Sequence, residues 1–185
     1  MARLVCPPWV GYLLLSPFRK LLEDPNTIFG SLVRPGMTVL EPGCGMGFFT
    51  LPLAQMVGPQ GQVVAVDLQP KMLSVLRRRA ERAGLLDRID LRLAESGRLG
   101  LNDLAGKVDL VAALHVVHEV PDQAAFFSEI RDTLKPDGKL LIVEPRGHVS
   151  RMEFEATVIA AETVGFRGEA SCGRVRGRSA LLSRI

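Results

Sequence analysis

The chain has 185 residues, of which 47% are hydrophobic and 23% charged, with a formal net charge of +3. That is enough for one globular domain with a sizeable core, and it excludes a disordered chain. With only 5% aromatic residues there is no stacking platform of the kind single-strand nucleic-acid binders use, and the mild charge permits an acidic partner without demanding one.

Cys6, Cys44 and Cys172 are widely separated and odd in number. They form no disulfide framework, and no pair has zinc-ligand spacing, so a reducing, cytoplasmic compartment is expected. A soft-metal site would need all three to converge, and nothing in their spacing suggests that. The apolar run Val10 to Leu15 is too short for a membrane span and is broken by Pro17. It also lacks the shape of a signal peptide.

In chain order, residues 1–34 are proline-punctuated. Ser16-Pro17 and Asp24-Pro25 read as N-caps with proline in the first turn, predicting short helices Pro17 to Leu22 and Pro25 to Leu32. Met37 to Leu40 is a first strand, followed by a glycine loop and a helix from Phe49 to Met56. Gln62 to Val66 is a second strand ending at Asp67. Pro70 to Ala83 is a helix with Met72, Leu73, Val75 and Leu76 inward and its arginines outward, stopped by Gly84. Ile89 to Leu93 alternates as an edge strand would, and Val108 to Leu114 is apolar on both faces, as a buried central strand is. Asp122 to Leu134 is helical, Lys135-Pro-Asp-Gly138 supplies a turn, and Lys139 to Val143 is a further buried strand ending at Glu144. After a helix from Met152 to Val164, the segments Arg167 to Cys172 and Ala180 to Ser183 read as a closing hairpin. Alternating strands and helices imply an α/β fold with a parallel sheet and right-handed crossovers.

Such sheets bind ligands beyond the carboxyl ends of their strands. There the first strand delivers Glu41, Gly43, Gly45 and Gly47, and Asp67 ends the next strand about twenty residues on, where a carboxylate can accept ribose hydroxyls. The glycine spacing is G-x-G-x-G. The dinucleotide fingerprint G-x-G-x-x-G fails in either register, because its sixth position holds Phe48 or Thr50. Glu41 would repel a pyrophosphate but suits a cationic ammonium group.

Val39-Leu-Glu-Pro-Gly-Cys-Gly-Met-Gly47 and Val63-Val-Ala-Val-Asp-Leu-Gln-Pro-Lys-Met72 resemble motif I and the acidic loop of class I S-adenosylmethionine-dependent methyltransferases. Within that fold the chain is most similar to the small-molecule group typified by ubiquinone and menaquinone biosynthesis methyltransferases (methyltransferase type 11). His115-Val-Val-His-Glu-Val-Pro-Asp122 resembles that group's motif after strand four, and Leu134-Lys-Pro-Asp-Gly-Lys-Leu140 its turn before strand five. The resemblance runs from about residue 35 to the end. It implies a Rossmann-like, doubly wound, seven-stranded and mostly parallel sheet with a C-terminal antiparallel hairpin, preceded by a helical extension or lid at residues 1–34.

By that resemblance, Glu41, Gly43, Cys44, Gly45 and Gly47 line the methionine moiety of S-adenosylmethionine (and of the product S-adenosylhomocysteine). Asp67 holds the ribose, Leu68 and Met72 pack near the adenine, and Leu114 and His115 lie under the sulfonium. Ala94-Glu95 stands where the family usually has Asp-Ala, so Glu95 serves the adenine amino group only if the reversed order is tolerated. His118 is the preferred catalytic base, with Glu119 to orient it, although methyl transfer can proceed by alignment alone. Glu144 is placed like them at a strand end.

The Asn/Asp-Pro-Pro-aromatic motif of amino-directed base methyltransferases is replaced by His115-Val-Val-His118, and the Pro-Cys nucleophile for cytosine carbon-5 is missing. Leu114-His115 stands where catechol-type enzymes place a metal-binding aspartate, so no metal is expected. The arginines at 77–79 and 82 read as a solvated helix face, and Arg174, Arg176 and Arg178 as hairpin-turn residues. The acceptor is therefore read as a small molecule, with neither nucleic acid nor membrane as partner. Residues 1–34, with Trp9 and Tyr12 at the mouth, supply the substrate cover, or a homodimer supplies that wall instead. A non-catalytic cofactor-binding module and an RNA or protein methyltransferase are the alternatives, with a nicotinamide oxidoreductase disfavoured by the glycine spacing.

Overall fold

The computed structural model describes residues 23–95, 97–169 and 177–185. The expected helix Pro17 to Leu22 lies outside these residues, as do Cys6, Trp9, Tyr12, Cys172, Arg174 and Arg176.

The chain runs α1 (Pro25–Phe29), β1 (Thr38–Pro42), α2 (Thr50–Val57), β2 (Gln62–Asp67), α3 (Pro70–Arg82) and β3 (Ile89–Leu93). It continues with β4 (Val108–Leu114), α4 (Gln123–Thr133), β5 (Leu134–Glu144), α5 (Arg151–Thr163), β6 (Phe166–Gly168) and β7 (Arg178–Arg184). One seven-stranded sheet has the order β3-β2-β1-β4-β5-β7-β6. The pairs from β3 to β5 are parallel, and β7 lies antiparallel to both β5 and β6. The closing hairpin and the edge position of β3 follow the sequence pattern.

Strand periodicity explains the two layers, since successive side chains point to opposite faces. Val39, Val63, Ala65, Leu110, Ala112 and Leu141 face one way and meet Leu53, Val57 and Leu76 of α2 and α3. Leu40, Val64, Val66, Val111, Ala113 and Ile142 face the other way and meet Phe127 and Ile130 of α4 and Ala161 of α5. Among the described residues no helix is long and apolar enough to cross a membrane.

Three details depart from the sequence reading. First, α1 stops at Phe29 rather than Leu32. Asp24 caps it as expected, but Gly30 is a poor helix former, and Val33 turns back to donate its N–H to the Phe29 carbonyl at 2.8 Å. Ile28, Phe29 and Val33 thereby join the core of α2, where Phe29 and Phe49 meet edge to face at 5.9 Å. Second, Lys135 to Gly138 forms a bulge rather than a turn ahead of the strand: β5 already pairs Leu134 with Val108, then shifts register to pair Lys139 with Leu110. Gly138 is needed there because a Cβ would sit 2.9 Å from the Val108 carbonyl oxygen. Third, the arginines of α3 do not all face solvent, as the site makes plain.

The strand order reverses between β1 and β4, whose neighbours β2 and β5 lie on opposite sides. A crevice at the carboxyl end of such a reversal is where doubly wound sheets take their ligands.

Candidate active site

Glu41 leaves the end of β1 only 3% exposed. Its Oε2 accepts a 2.6 Å hydrogen bond from the Thr50 hydroxyl in the first turn of α2. A buried carboxylate costs several kcal/mol unless it is hydrogen-bonded or matched by positive charge, and Thr50 supplies one such bond.

The loop from β1 to α2 is pinned by the Cys44 N–H, which donates to the Val66 carbonyl, and by the Gly47 N–H, which donates to the Cys44 carbonyl, both at 3.0 Å. Gly43, Gly45 and Gly47 all have positive φ, at 70°, 54° and 82°. Their surroundings differ. A Cβ on Gly43 would meet Val116 at 2.5 Å and one on Gly47 would meet Leu76 at 2.3 Å, whereas one on Gly45 would meet none of the described residues within 4 Å. Two glycines therefore permit internal packing, and the middle one leaves backbone open to an approaching molecule.

Asp67 ends β2 across from this loop. Its Oδ2 accepts the Gly45 N–H and its Oδ1 the Gln69 N–H, each at 2.8 Å. Burial pushes its carboxyl above the ordinary range, against the opposing pull of those backbone donors. Cys44 sits between the two acids: burial first, then the charges of Glu41 and Asp67, push its thiol well up. It is a free, neutral cysteine. Arg79 departs from the expectation of a solvated arginine face. It is half-buried, and its Nη1 donates to the Met46 carbonyl, tying α3 to the glycine loop. Burial lowers its pKa. Among the residues expected near an adenine, Leu68 is 46% exposed while Met72 is 3% exposed. Ala94 is buried, with its N–H on the Asp67 carbonyl at 3.0 Å, and exposed Glu95 bridges through its backbone to Arg98.

On the other side of the reversal, Leu114 is buried at the end of β4. His115, with φ 56°, is the one non-glycine residue with positive φ among those described. Its N–H donates to the Val143 carbonyl at 2.7 Å, and its ring lies against Phe49 at 6.3 Å. Its Nε2 is 2.6 Å from Oε1 of Glu23, just ahead of α1. Neither ring nitrogen meets hydrogen-bond geometry, so the Glu23 contact is a close approach without hydrogen-bond alignment. Glu23 had no signal in the sequence beyond its charge.

His118 stands on a 3-10 turn, Val117–Glu119, braced by Gln123, whose amide donates to the Val117 carbonyl at 3.1 Å. Its Nδ1 lies 2.6 Å from Oε2 of Glu144, and its backbone N–H donates to Oε1 of the same carboxylate at 3.1 Å. Glu144, which is 1% exposed at the end of β5, thus holds both the backbone and the ring of His118. The turn is coupled to the glycine loop, because Val116 is the side chain packed under Gly43. Among the described residues no three His, Cys, Asp or Glu side chains come together as a metal-binding group.

A family described as a methyltransferase domain matches residues 34–169. The chain is 32% identical over 133 residues to a ubiquinone/menaquinone biosynthesis C-methyltransferase of Shewanella frigidimarina, covering 70% of this chain and 52% of that protein. It is 35% identical over 110 residues to an arsenite methyltransferase of Halobacterium salinarum, covering 60% of this chain and 27% of that protein. The chain thus spans about half or less of the length of these relatives. A solved S-adenosylmethionine-dependent methyltransferase of Aquifex aeolicus superposes with a TM-score of 0.80 at 24% identity, over 97% of each chain. That likeness shows the fold.

Proposed function

The chain belongs to the methyltransferase domain family, and from that premise we propose that it transfers a methyl group from S-adenosylmethionine to a small-molecule acceptor. The observation that carries the reading is the paired arrangement of the open backbone at Gly45 and the buried carboxylates of Glu41 and Asp67.

The residues present fit that cofactor. The face of Gly45 is open among the described residues, so a bound molecule can approach its backbone there, and Gly43, Cys44 and Gly47 shape the same loop. Glu41 supplies negative charge for an α-ammonium group. Asp67 uses two of the roughly four lone-pair positions of a carboxylate on backbone donors, which leaves capacity for ribose hydroxyls. Leu68 offers exposed apolar surface for a base, with Met72, Ala94 and Glu95 around it. Leu114 and His115 form the floor toward the reacting end. When bound, the cofactor supplies an electrophilic methyl group on a sulfonium. The chain's own task is to hold and align, which by itself accounts for much of a bimolecular transfer. The Glu23 contact with His115 supports a cover role for the segment leading into α1. The buried, unpaired thiol of Cys44 supports a reducing, cytoplasmic setting.

Thermal unfolding with S-adenosylmethionine, S-adenosylhomocysteine and NADH in parallel tests the reading. A ligand at about 100 times its Kd adds about 2.7 kcal/mol to stability. Stabilisation by both sulfur ligands, lost in Asp67→Ala, is the expected result. Stabilisation by NADH alone would overturn it.

A further inference from the structure

We infer that Glu129, on α4, is a positioning residue for cofactor recognition: it holds the chain leaving β3 as the wall that reads the base of S-adenosylmethionine. This rests on the methyltransferase reading above and deepens it at the base end of the same site.

The connection from β3 to β4 needs outside acceptors for its backbone. Parallel strands are ordinarily joined through a helix, which satisfies its own N–H groups. Among the described residues this crossover carries only the 3-10 turn Asn102–Leu104, so its shielded N–H groups must find partners elsewhere. Glu129 supplies them. Its Oε2 accepts the Leu99 N–H at 2.9 Å, and its Oε1 accepts the Gly100 and Leu101 N–H groups at 2.7 and 3.2 Å. Successive N–H groups converging on one anion form a nest, and Gly100, at φ 72°, provides the left-handed residue within it. Among the described residues Glu129 makes no ion pair. Its charge is met by backbone donors, and such charge-assisted bonds are stronger than neutral ones. Leu101, 1% exposed, and Leu99 pack into the layer of α4 and fix the same stretch from its side chains.

The wall so anchored starts at the acid proposed for the ribose. Asp67 pairs with Leu93 in the register of β2 and β3, and the Ala94 N–H donates to the Asp67 carbonyl at 3.0 Å. Leu68 and Leu93, next in sequence to these two residues, are 46% and 57% exposed. Apolar surface suited to a flat base therefore lies where the crossover begins. Further along, Glu95 and Arg98 exchange backbone hydrogen bonds at 3.1 and 3.0 Å. The stretch is thus held at one end by the Asp67 carbonyl and at the other by the Glu129 carboxylate. A base is told from its analogues by hydrogen bonds along its edge, which need partners fixed to a fraction of an ångström. Glu129 acts through the chain rather than on the ligand. A second tie, the two-pronged pair of Arg92 with Asp103 at 2.7 Å, secures the 3-10 turn instead and serves as the comparison.

Base discrimination separates this role from mere support of the fold. Wild type, Glu129→Ala, Glu129→Gln and Asp103→Ala would be compared in two measurements. Calorimetry gives the affinities for S-adenosylhomocysteine and for S-inosylhomocysteine, in which an oxygen replaces the amino group of the base. Amide hydrogen exchange reads the protection of Leu99, Gly100 and Leu101. Wild type should protect these amides and prefer the adenine ligand by about tenfold or more. Glu129→Ala should lose that protection and bind S-adenosylhomocysteine about tenfold more weakly, with S-inosylhomocysteine changed less than about threefold, so that the preference collapses. Glu129→Gln keeps one acceptor oxygen and should fall between the two; it decides the matter should Glu129→Ala fail to fold. Asp103→Ala should leave the preference within about twofold of wild type, because an exposed ion pair contributes little. No preference in wild type, a wild-type preference in the Glu129 variants, or an equal loss in Asp103→Ala would overturn the inference. Failure of wild type to bind S-adenosylhomocysteine would overturn the methyltransferase reading, and this one with it.

Discussion

Oε1 of Glu23 lies 2.6 Å from Nε2 of His115, joining the residue ahead of α1 to the end of β4 across 92 positions of sequence. His115 holds a left-handed backbone at φ 56°, a conformation that costs a non-glycine residue about 1–2 kcal/mol. Both side chains are 16% exposed, so the contact is shielded enough to help hold that conformation. Glu23→Gln should lower unfolding free energy by up to about 1 kcal/mol. Urea titration reads this as a lower midpoint at unchanged slope. An unshifted midpoint would mean that the His115 N–H bond to the Val143 carbonyl and packing on Phe49 set the backbone there without Glu23.

The three loop glycines predict three different substitution outcomes. Gly47→Ala drives a Cβ to 2.3 Å from the end of Leu76, which is fully buried and has little room to swing away. Overpacking and positive φ together should cost about 2–4 kcal/mol. Gly45→Ala meets no atom of the described residues and should cost only about 1–2 kcal/mol through backbone strain. Its Cβ occupies the cofactor cradle, so S-adenosylhomocysteine binding should vanish although the protein stays folded. Gly43→Ala belongs with Gly47→Ala because of Val116. Calorimetry on folded Gly45→Ala is the deciding measurement, and wild-type affinity there would show that the open face of Gly45 is not where the ligand lies.

Asp67 gives opposite pH dependences for stability and for binding. Burial raises its carboxyl above the ordinary value of 3.8, so the folded state favours the protonated form. Its contribution to stability is fully present below that ordinary value and is lost as pH rises through the raised one. Binding runs the other way, because the ionised carboxylate is the better acceptor for ribose hydroxyls. Wild type should lose stability relative to Asp67→Asn as pH rises through this window, and gain affinity for S-adenosylhomocysteine over the same window. At neutral pH Asp67→Asn should bind about 10–100-fold more weakly. Parallel pH profiles for the two proteins would remove Asp67 from the site.

The grouping of Glu41, the glycines and Asp67 proposed as the cofactor side was legible in the sequence because its determinants are local. Glu41, the glycines and Asp67 fall within one strand–loop–helix–strand unit, where spacing along the chain fixes spacing in space. The surroundings of His118 were less legible because their pairing crosses the sheet. Glu119 is next to His118 in sequence, but β5 lies beside β4 and so brings Glu144 to the ring from 26 residues away. No local pattern encodes that neighbour; the strand order does. The Lys135 to Gly138 segment was read as a turn ahead of the strand, but it lies within β5 because Leu134 already pairs with Val108. Arg79 is a different case. Met72, Leu76 and Ala80 form the buried stripe of α3, and Arg79 follows Leu76 by three positions, which puts it on the edge of that stripe. The periodicity held the information, and the run of arginines concealed it.

Arg79 accordingly separates from its neighbours in a measurable way. Its guanidinium meets the Met46 carbonyl, while Arg77 and Arg78 are exposed. Arg79→Met keeps an apolar stem against the helix but removes the donor, leaving a carbonyl of a residue that is 3% exposed without that bond. Loss of a charge-assisted bond to a buried acceptor should cost about 1–3 kcal/mol. The loosened glycine loop should weaken S-adenosylhomocysteine binding by about tenfold, equivalent to roughly 1.4 kcal/mol. Arg77→Met and Arg78→Met should stay within about 0.5 kcal/mol of wild type. Because the Arg79 contact is shielded from solvent, its effect should persist at high salt, where surface interactions are screened. If Arg79→Met matched Arg77→Met in both stability and binding, the loop would be held by Asp67 and the backbone alone, and α3 would contribute only Leu76 to its shape.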